Sequence, residues 1–210
     1  RAIYRTESPD MMRWSDLEPM LHPDLDDPWD MQFYGMPAWK YCDVYMGGLK
    51  RLWTTPDRID TELVTSRDTR AWRRSRSTFL PNGEGDAWDR KWAALASSPP
   101  IERDGQLWFY HEARKQAHGQ RYPFPQGAIC LATLPRDRFC ALEAGPTEGV
   151  ATLRQFRCTG GRLLVNCKVQ GVGGVRVEVL DEAGAPIPGL TRDDASPIQG
   201  DNPAGEAVWK

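Results

Sequence analysis

The chain has 210 residues, with 27 Lys and Arg set against 29 Asp and Glu, for a formal net charge of −2. That balance offers no basic face for phosphates, so nucleic acid is not an expected partner, and 40% hydrophobic with 27% charged residues excludes a disordered polyelectrolyte. No apolar run reaches the roughly 18 residues that a membrane-crossing helix requires, so no membrane segment is expected either.

In chain order, the first informative element is a Ser/Asp/Trp motif. Ile3-Tyr4-Arg5-Thr6-Glu7-Ser8-Pro9-Asp10 runs on to Trp14, and Leu63-Val64-Thr65-Ser66-Arg67-Asp68 runs on to Trp72, so S-x-D-x-x-x-W recurs after 58 residues. A weaker copy, Leu131 to Phe139, keeps Asp137 and an aromatic residue. The Asp has a mechanical task here, because its carboxylate caps backbone N–H groups of a tight turn, while the Trp is expected to pack between neighbouring units. The motif resembles a shortened Asp-box turn of sialidases.

A second motif interleaves with the first. Pro28-Trp29-Asp30 is echoed 59 residues later by Ala87-Trp88-Asp89. Each copy precedes an apolar run, Phe33 to Trp39 (with Gly35 and Pro37) or Trp92 to Ile101. A turn follows, Tyr41-Cys42-Asp43 or Arg103-Asp104-Gly105, and then a second run, Val44-Tyr45-Met46 or Leu107-Trp108-Phe109-Tyr110. The third run of each unit ends in the Ser/Asp/Trp motif, and a fourth strand is expected after the Trp. Four-stranded units at this spacing, without helical periodicity, read as β-propeller blades. Arg67, Arg70, Arg73, Arg74 and Arg76 read as a solvated blade edge, neutralised in part by Asp68 or Asp86.

The segment from Arg114 to Gln126, with Pro123 and Pro125, reads as an irregular loop. From about Gly149 the pattern changes. Leu163 to Val169 and Val175 to Leu180 read as strands around the Gly171–Gly174 turn, with Asp181-Glu182-Ala183-Gly184 as a hairpin turn and another strand beginning at Val208-Trp209-Lys210. The expected fold class is therefore all-β: a partial propeller of about two to three blades over 1–148, then the start of an antiparallel β-sandwich over 149–210. The phase of the repeats leads us to expect further blades ahead of Arg1, and an isolated piece is expected to be poorly stable because blade faces stay uncovered. Five unclustered cysteines, Cys42, Cys130, Cys140, Cys158 and Cys167, read as buried free thiols. They leave the compartment open, extracellular or periplasmic included.

Three segments carry a family resemblance. Asp30-Met31-Gln32-Phe33-Tyr34-Gly35-Met36-Pro37, Gly83-Glu84-Gly85-Asp86-Ala87-Trp88-Asp89 and Ala96-Ser97-Ser98-Pro99-Pro100 resemble bacterial proteins related to family 32 glycoside hydrolases. Gly161 to Asn166, Val177 to Asp181 and Pro186-Ile187-Pro188-Gly189 resemble their C-terminal domain. The resemblance implies a five-bladed propeller joined to a β-sandwich, and a carbohydrate substrate. Family 32 enzymes use a nucleophilic Asp, a stabilising Asp and an acid Glu. The W-x-N-D-P-N-G segment of the nucleophile and the E-C-P acid motif are both absent from this sequence. Arg67-Asp68-Thr69 is superficially similar to the R-D-P stabiliser, but it belongs to the Ser/Asp/Trp turn, so Asp68 is not assigned that role.

Candidate chemistry follows from the repeat. Asp30 and Asp89 precede the first strand of their units, so they are expected at equivalent places around one mouth of the propeller channel. Two facing carboxylates suit glycoside hydrolysis, one protonating the leaving oxygen while the other activates water or attacks carbon. Equally, each Asp caps the turn into its strand beside a packed Trp. Glu112, beside His111 and ahead of His118, is a third catalytic candidate, acting as general acid where apolar neighbours raise its pKa; the alternative is a solvated hairpin end. Gln32, Tyr34, Trp88, His111 and His118 are candidate substrate-binding residues, Gln32 and Tyr34 sharing a face with Asp30. No metal and no cofactor is expected. The leading function is a carbohydrate-active glycosidase; the rival is a non-catalytic propeller that binds glycan or protein through the same mouth.

Overall fold

A computed structural model describes residues 1–120, 127–157 and 160–210. Cys158, Pro123 and Pro125 lie outside the described residues. The fold is all-β, with no helix among the described residues, and the chain divides into two compact units, Arg1–Arg136 and Asp137–Lys210. None of its sheets closes into a barrel.

In the first unit, β1 (Ile3–Arg5) and β2 (Glu18–Leu21) form an antiparallel pair across the first Ser/Asp/Trp motif. A meander follows: β3 (Met31–Gly35), β4 (Ala38–Tyr41), β5 (Val44–Trp53), β6 (Arg58–Ser66) and β7 (Trp72–Leu80). β3 and β4 pair in succession with the two halves of the long β5, Met31 opposite Trp53 and Tyr41 opposite Val44. They are one line broken at Met36-Pro37, where proline has no N–H for the ladder. The same plan repeats in β8 (Trp92–Leu95) and β9 (Ile101–Arg103), which pair in succession with β10 (Gln106–Arg114), and in β11 (Gly127–Pro135), which pairs with β10 along nine residues. A single parallel bridge, Ile59 to Trp92, joins β6 to β8 and links the meanders into one nine-stranded sheet.

The predicted turns lie where the motifs placed them. Asp10 Oδ1 accepts from the N–H groups of Met12 and Arg13 at 3.0 and 2.9 Å, and Asp68 Oδ1 accepts from those of Arg70 and Ala71 at 2.9 and 2.8 Å. Met11 and Thr69, at the same place in each turn, take left-handed backbone angles, φ 62° and 64°. The two Trp residues differ. Trp72 packs against a core cluster, whereas Trp14 is exposed. Asp137 in the weaker copy itself takes the left-handed angle, φ 63°, and no strand follows it before β12 among the described residues.

Alternation along β5 and β6 gives each face of the first meander its own core. One face carries Leu49 and Val64, packed with Met31, Phe33 and Leu21. The other carries Leu52 and Ile59, packed with Trp92 and Ala94 of the next meander. Gly47 and Gly48 set the spacing. A Cβ on Gly47 would lie 2.9 Å from Val64, and one on Gly48 2.8 Å from Leu95, so both faces need bare backbone there.

In the second unit, β12 (Leu164–Lys168) pairs with β13 (Asp201–Glu206), not with Val175 to Leu180 across the Gly171–Gly174 turn as the sequence led us to expect. Val175 and Leu180 instead make isolated bridges to Ile198 and Pro186. The Asp181–Gly184 turn does form, with Asp181 Oδ1 accepting from Ala183 and Ala185 at 2.9 Å each. The cysteines need correction: Cys42 and Cys140 are exposed, and Cys130 and Cys167 are half-buried. All four are free, but none is buried, because Cys42 falls in a turn, Cys140 in an irregular stretch, and Cys130 and Cys167 on the edge strands β11 and β12.

Candidate functional site

β10 is the strand that brings candidate residues together. A cavity of about 520 Å³ opens where Tyr110, His111 and Glu112 of β10 meet Lys50 of β5 and the Ala96–Ser98 connection that follows β8. Its volume falls in the range usual for small-molecule sites. His111 is 3% exposed, and its Nδ1, closed to solvent, has no hydrogen-bond partner among the described residues. Lys50 sits on the face of β5 that packs toward β8, and burial pulls its pKa below the ordinary value, with the charge of Glu112 acting in the opposite sense. Lys50 makes no ion pair among the described residues.

Glu112 leads from the cavity to a group of aromatic rings. Its Oε1 accepts from Arg114 Nε at 2.7 Å and from Nη2, while Oε2 has no described partner. The Arg114 guanidinium lies over the Trp92 ring, 4.6 Å from its centroid. On Trp92 stacks His118, at 5.6 Å and 15° between planes, and Tyr34 meets Trp92 edge-on at 5.5 Å. His118 Nε2 and the Tyr34 hydroxyl are hydrogen-bonded at 2.9 Å. The loop that carries His118 is pinned by Asp57, whose two oxygens accept from the N–H groups of His118 and Gly119 at 3.0 and 2.9 Å. Tyr34 and His118 therefore meet directly, although 84 residues separate them, and Glu112 reaches them through Arg114 and Trp92, whereas His111 points to the other face of β10.

The other candidates stand apart from it. Asp30 is half-buried and its backbone carbonyl accepts from Thr54 N and Oγ1, at 2.8 and 3.0 Å, holding the entry to β3. Asp89, also half-buried, lies with its carboxylate against the α-carbon of Gly83, and its carbonyl accepts from Asn82 at 3.0 Å. Burial raises the pKa of the Cys130 thiol, and the Asp89 charge adds to that. No described hydrogen bond or ion pair joins Asp30 to Asp89 or either of them to Glu112. Gln32 is half-buried on β3 opposite Leu52. Trp88 is 48% exposed, with the Lys115 ammonium 4.7 Å above its ring. Among the described residues no group of three or more His, Cys, Asp or Glu is placed to hold a metal.

Comparison with known proteins identifies no family. No family model matches the sequence, and no curated protein matches it. Among solved structures, it is similar to one titled "Glycoside hydrolase", at 12% identity over 55% of this chain and 35% of the other, with a TM-score of 0.45. It is similar to another, a complex named for BT0996 and RGII, at 12% identity over 54% and 35% of the two sequences, with a TM-score of 0.43. The protein spans about a third of the length of these structures, 35% of each.

A buried ionic network on the other face of the first meander was not anticipated. Asp60 and Glu62 are 2% and 0% exposed. Arg51 Nε donates to Asp60 at 2.8 Å, Arg74 donates to both oxygens of Glu62 at 3.1 and 2.8 Å, and Arg74 Nη1 pairs with Asp27 at 2.5 Å. The reading of Arg74 as a solvated edge residue is thus corrected, since its side chain is 7% exposed. Burial pulls its pKa down, but its hydrogen bonds to Glu62 and Asp27 outweigh that and raise it. Asp68 and Asp86 do not neutralise the arginines either. Arg70 pairs with Glu18 and Arg76 with Asp24, each at 2.6 Å, while Asp86 pairs with Lys115 at 2.7 Å. The sequence signal was the alternation Asp60-x-Glu62 within an apolar strand, which demands cations on the same face.

Proposed function

We propose that this chain is part of a carbohydrate-active protein that hydrolyses O-glycosidic bonds, with residues 1–148 as the C-terminal blades of a glycosidase-like propeller and 149–210 as the start of a β-sandwich. The observation that supports it is the cavity at β10. There the Glu112 carboxylate and the Lys50 ammonium line a cavity, and Arg114, which engages Glu112, lies over the Trp92 ring against which Tyr34 and His118 pack. Sugars present hydroxyls to charged and polar groups and a C–H face to aromatic rings, so this pairing suits them.

In this reading Glu112 works at the cavity as acid or base, and Asp30 and Asp89, which stand apart from it, take part only where a substrate reaches the entries to β3 and β8. Gln32, Tyr34, Trp88, His111 and His118 bind the sugar. The test is release of reducing sugar from a panel of glycosides by the full-length protein, with Asp30→Asn, Asp89→Asn and Glu112→Gln as variants. Loss of the acid or base is expected to lower kcat by roughly 100-fold or more with unchanged circular dichroism. Undiminished turnover in all three variants rejects these assignments.

A second reading, glycan binding without hydrolysis, has its own observation. Glu112 is engaged by Arg114, and among the described residues no second carboxylate lines the cavity. Sugar binding with no turnover on the panel would select it.

A further inference from the structure

A second cavity, of about 280 Å³, lies between β7 and the loop that follows β2. Trp72, Arg74 and Arg76 line it from β7, and His22 and Asp24 line it from the loop. It shares no residue with the cavity at β10. Arg76 takes a left-handed φ of 55° where the register of β7 on β6 shifts, and Glu62 accepts its N–H at 2.8 Å. A bulge of this kind re-aims a side chain. Here the guanidinium reaches Asp24, with Nη1 and Nη2 donating at 3.2 and 2.6 Å.

Donors and acceptors remain once these internal bonds are made. Arg76 bonds through Nη1 and Nη2, leaving Nε without a described partner, and Asp24 Oδ2 accepts only from Arg76. The Arg76 hydrogen bond holds the Asp24 carboxyl below its ordinary value, so it is an ionised acceptor. His22 Nδ1 lies 3.0 Å from the Pro23 carbonyl, which can only accept, so the proton sits on Nδ1. Nε2 of the exposed neutral ring is then an acceptor too. Charge is balanced around the site: Arg51, Arg74 and Arg76 are paired with Asp24, Asp27, Asp60 and Glu62 in one network. Three cations against four carboxylates give no excess positive charge to hold an anion. The half-buried Trp72 ring and Leu21 supply an apolar wall.

Groups that give and take hydrogen bonds, without net positive charge and beside an aromatic ring, complement a neutral polyhydroxyl ligand. The volume is below the roughly 300–1,000 Å³ of drug-sized sites, so one ring fits and a chain does not. We propose that this cavity is a separate carbohydrate site for a single neutral sugar ring. Asp24 and Arg76 take adjacent hydroxyls, His22 Nε2 accepts from another, and Trp72 meets the C–H surface. The site goes beyond the hydrolytic reading above: Asp24 is the one carboxylate lining it among the described residues, so it binds sugar without an acid/base pair to cleave it.

The experiment is titration of the full chain with glucose, galactose, mannose and fructose, followed through the tryptophan indole N–H resonances. Inorganic phosphate is the anionic comparison. At least one sugar is expected to shift the Trp72 resonance, assigned by its absence in Trp72→Phe, with a Kd of about 1–10 mM. Asp24→Ala is expected to weaken that binding roughly tenfold or more, through loss of a charged hydrogen bond. The Asp24–Arg76 pair is solvent-exposed and adds little stability, so the circular dichroism of this variant stays unchanged. Sugar binding that leaves the Trp72 resonance in place, or that survives Asp24→Ala undiminished, puts the sugar elsewhere and overturns the proposal. A Trp72 shift with phosphate and with none of the sugars overturns it too, as does no shift with any ligand. The hydrolytic reading is decided separately, by release of reducing sugar, and stands or falls without this site.

Discussion

At the scale of single residues, the aspartates divide by what they accept from. Asp10 and Asp68 accept backbone N–H groups and so hold turns, while Asp60 and Asp27 accept guanidinium groups and so hold a buried network. The first role has a measurable consequence. Hydrogen bonds from the N–H groups of Arg13 and Met12, and then from the Arg13 side chain, hold the Asp10 carboxyl at about 2, below its ordinary 3.8. A depressed carboxylate contributes its stabilisation fully above the unfolded value, and loses it as pH falls through the folded one. The turn should therefore stay capped down to about pH 4 and loosen toward pH 2. A carboxyl-carbon NMR titration of Asp10 is expected to show a midpoint near 2, and a midpoint at the ordinary 3.8 would mean that the cap is not formed.

At the scale of elements, the long strand β5 decides most of the packing. It pairs with β3 and β4 on one side and with β6 on the other, and its two faces touch two different cores. Gly48 is the point at which β8 comes closest, so a larger side chain there must displace Leu95 and Thr61. Gly48→Val is expected to destabilise the protein by about 1–3 kcal/mol, the usual cost of overpacking. Its denaturation midpoint should fall with an unchanged m-value, and Gly85→Ala makes a poor control because Gly85 has φ 58°. Ala38→Val is better, since Ala38 is exposed on a strand. A midpoint in Gly48→Val equal to that of Ala38→Val would show that the approach of β8 does not constrain β5. The same strand carries Lys50 to the cavity, so packing at Gly48 and placement of Lys50 are expected to change together.

At the scale of the whole molecule, two units of unequal regularity follow one another. The first has paired strands over most of its length, whereas residues 137–157 contain no strand. A backbone without a ladder opens at low cost and is cut first by proteases. Brief proteolysis is expected to cleave between 137 and 163, releasing a resistant fragment that ends near Arg136, as mass spectrometry would show. First cuts within β5 or β6 would contradict the order of stability drawn from the sheet. Against the resemblance read in the sequence, the molecule is all-β as expected, with its meanders following one strand plan, and glycoside hydrolysis is a proposal that rests on the cavity at β10.

The sequence by itself determined the periodic features, because they depend on contacts between residues close in the chain. The Ser/Asp/Trp turns, the repeated strand order and the all-β class follow from local hydrogen bonding and period-two patterning, whereas the runs Phe33 to Trp39 and Trp92 to Ile101, read as single runs, each divide into two strands. It also put Glu112 beside His111 after the second strand and ahead of an irregular loop, and the structure extends that strand through both residues to Arg114. Tertiary structure alone decided what they face. Lys50, Trp92 and Asp57 drew no notice in the sequence as site residues, since their value comes from strands separated by dozens of positions. The pairing of β12 with β13 across a long excursion was hidden for the same reason, and so was the burial of Arg74. Alternation states which side chains share a face; only the packing of one sheet face on the next states which of those faces meets a cation, a ring or a cavity.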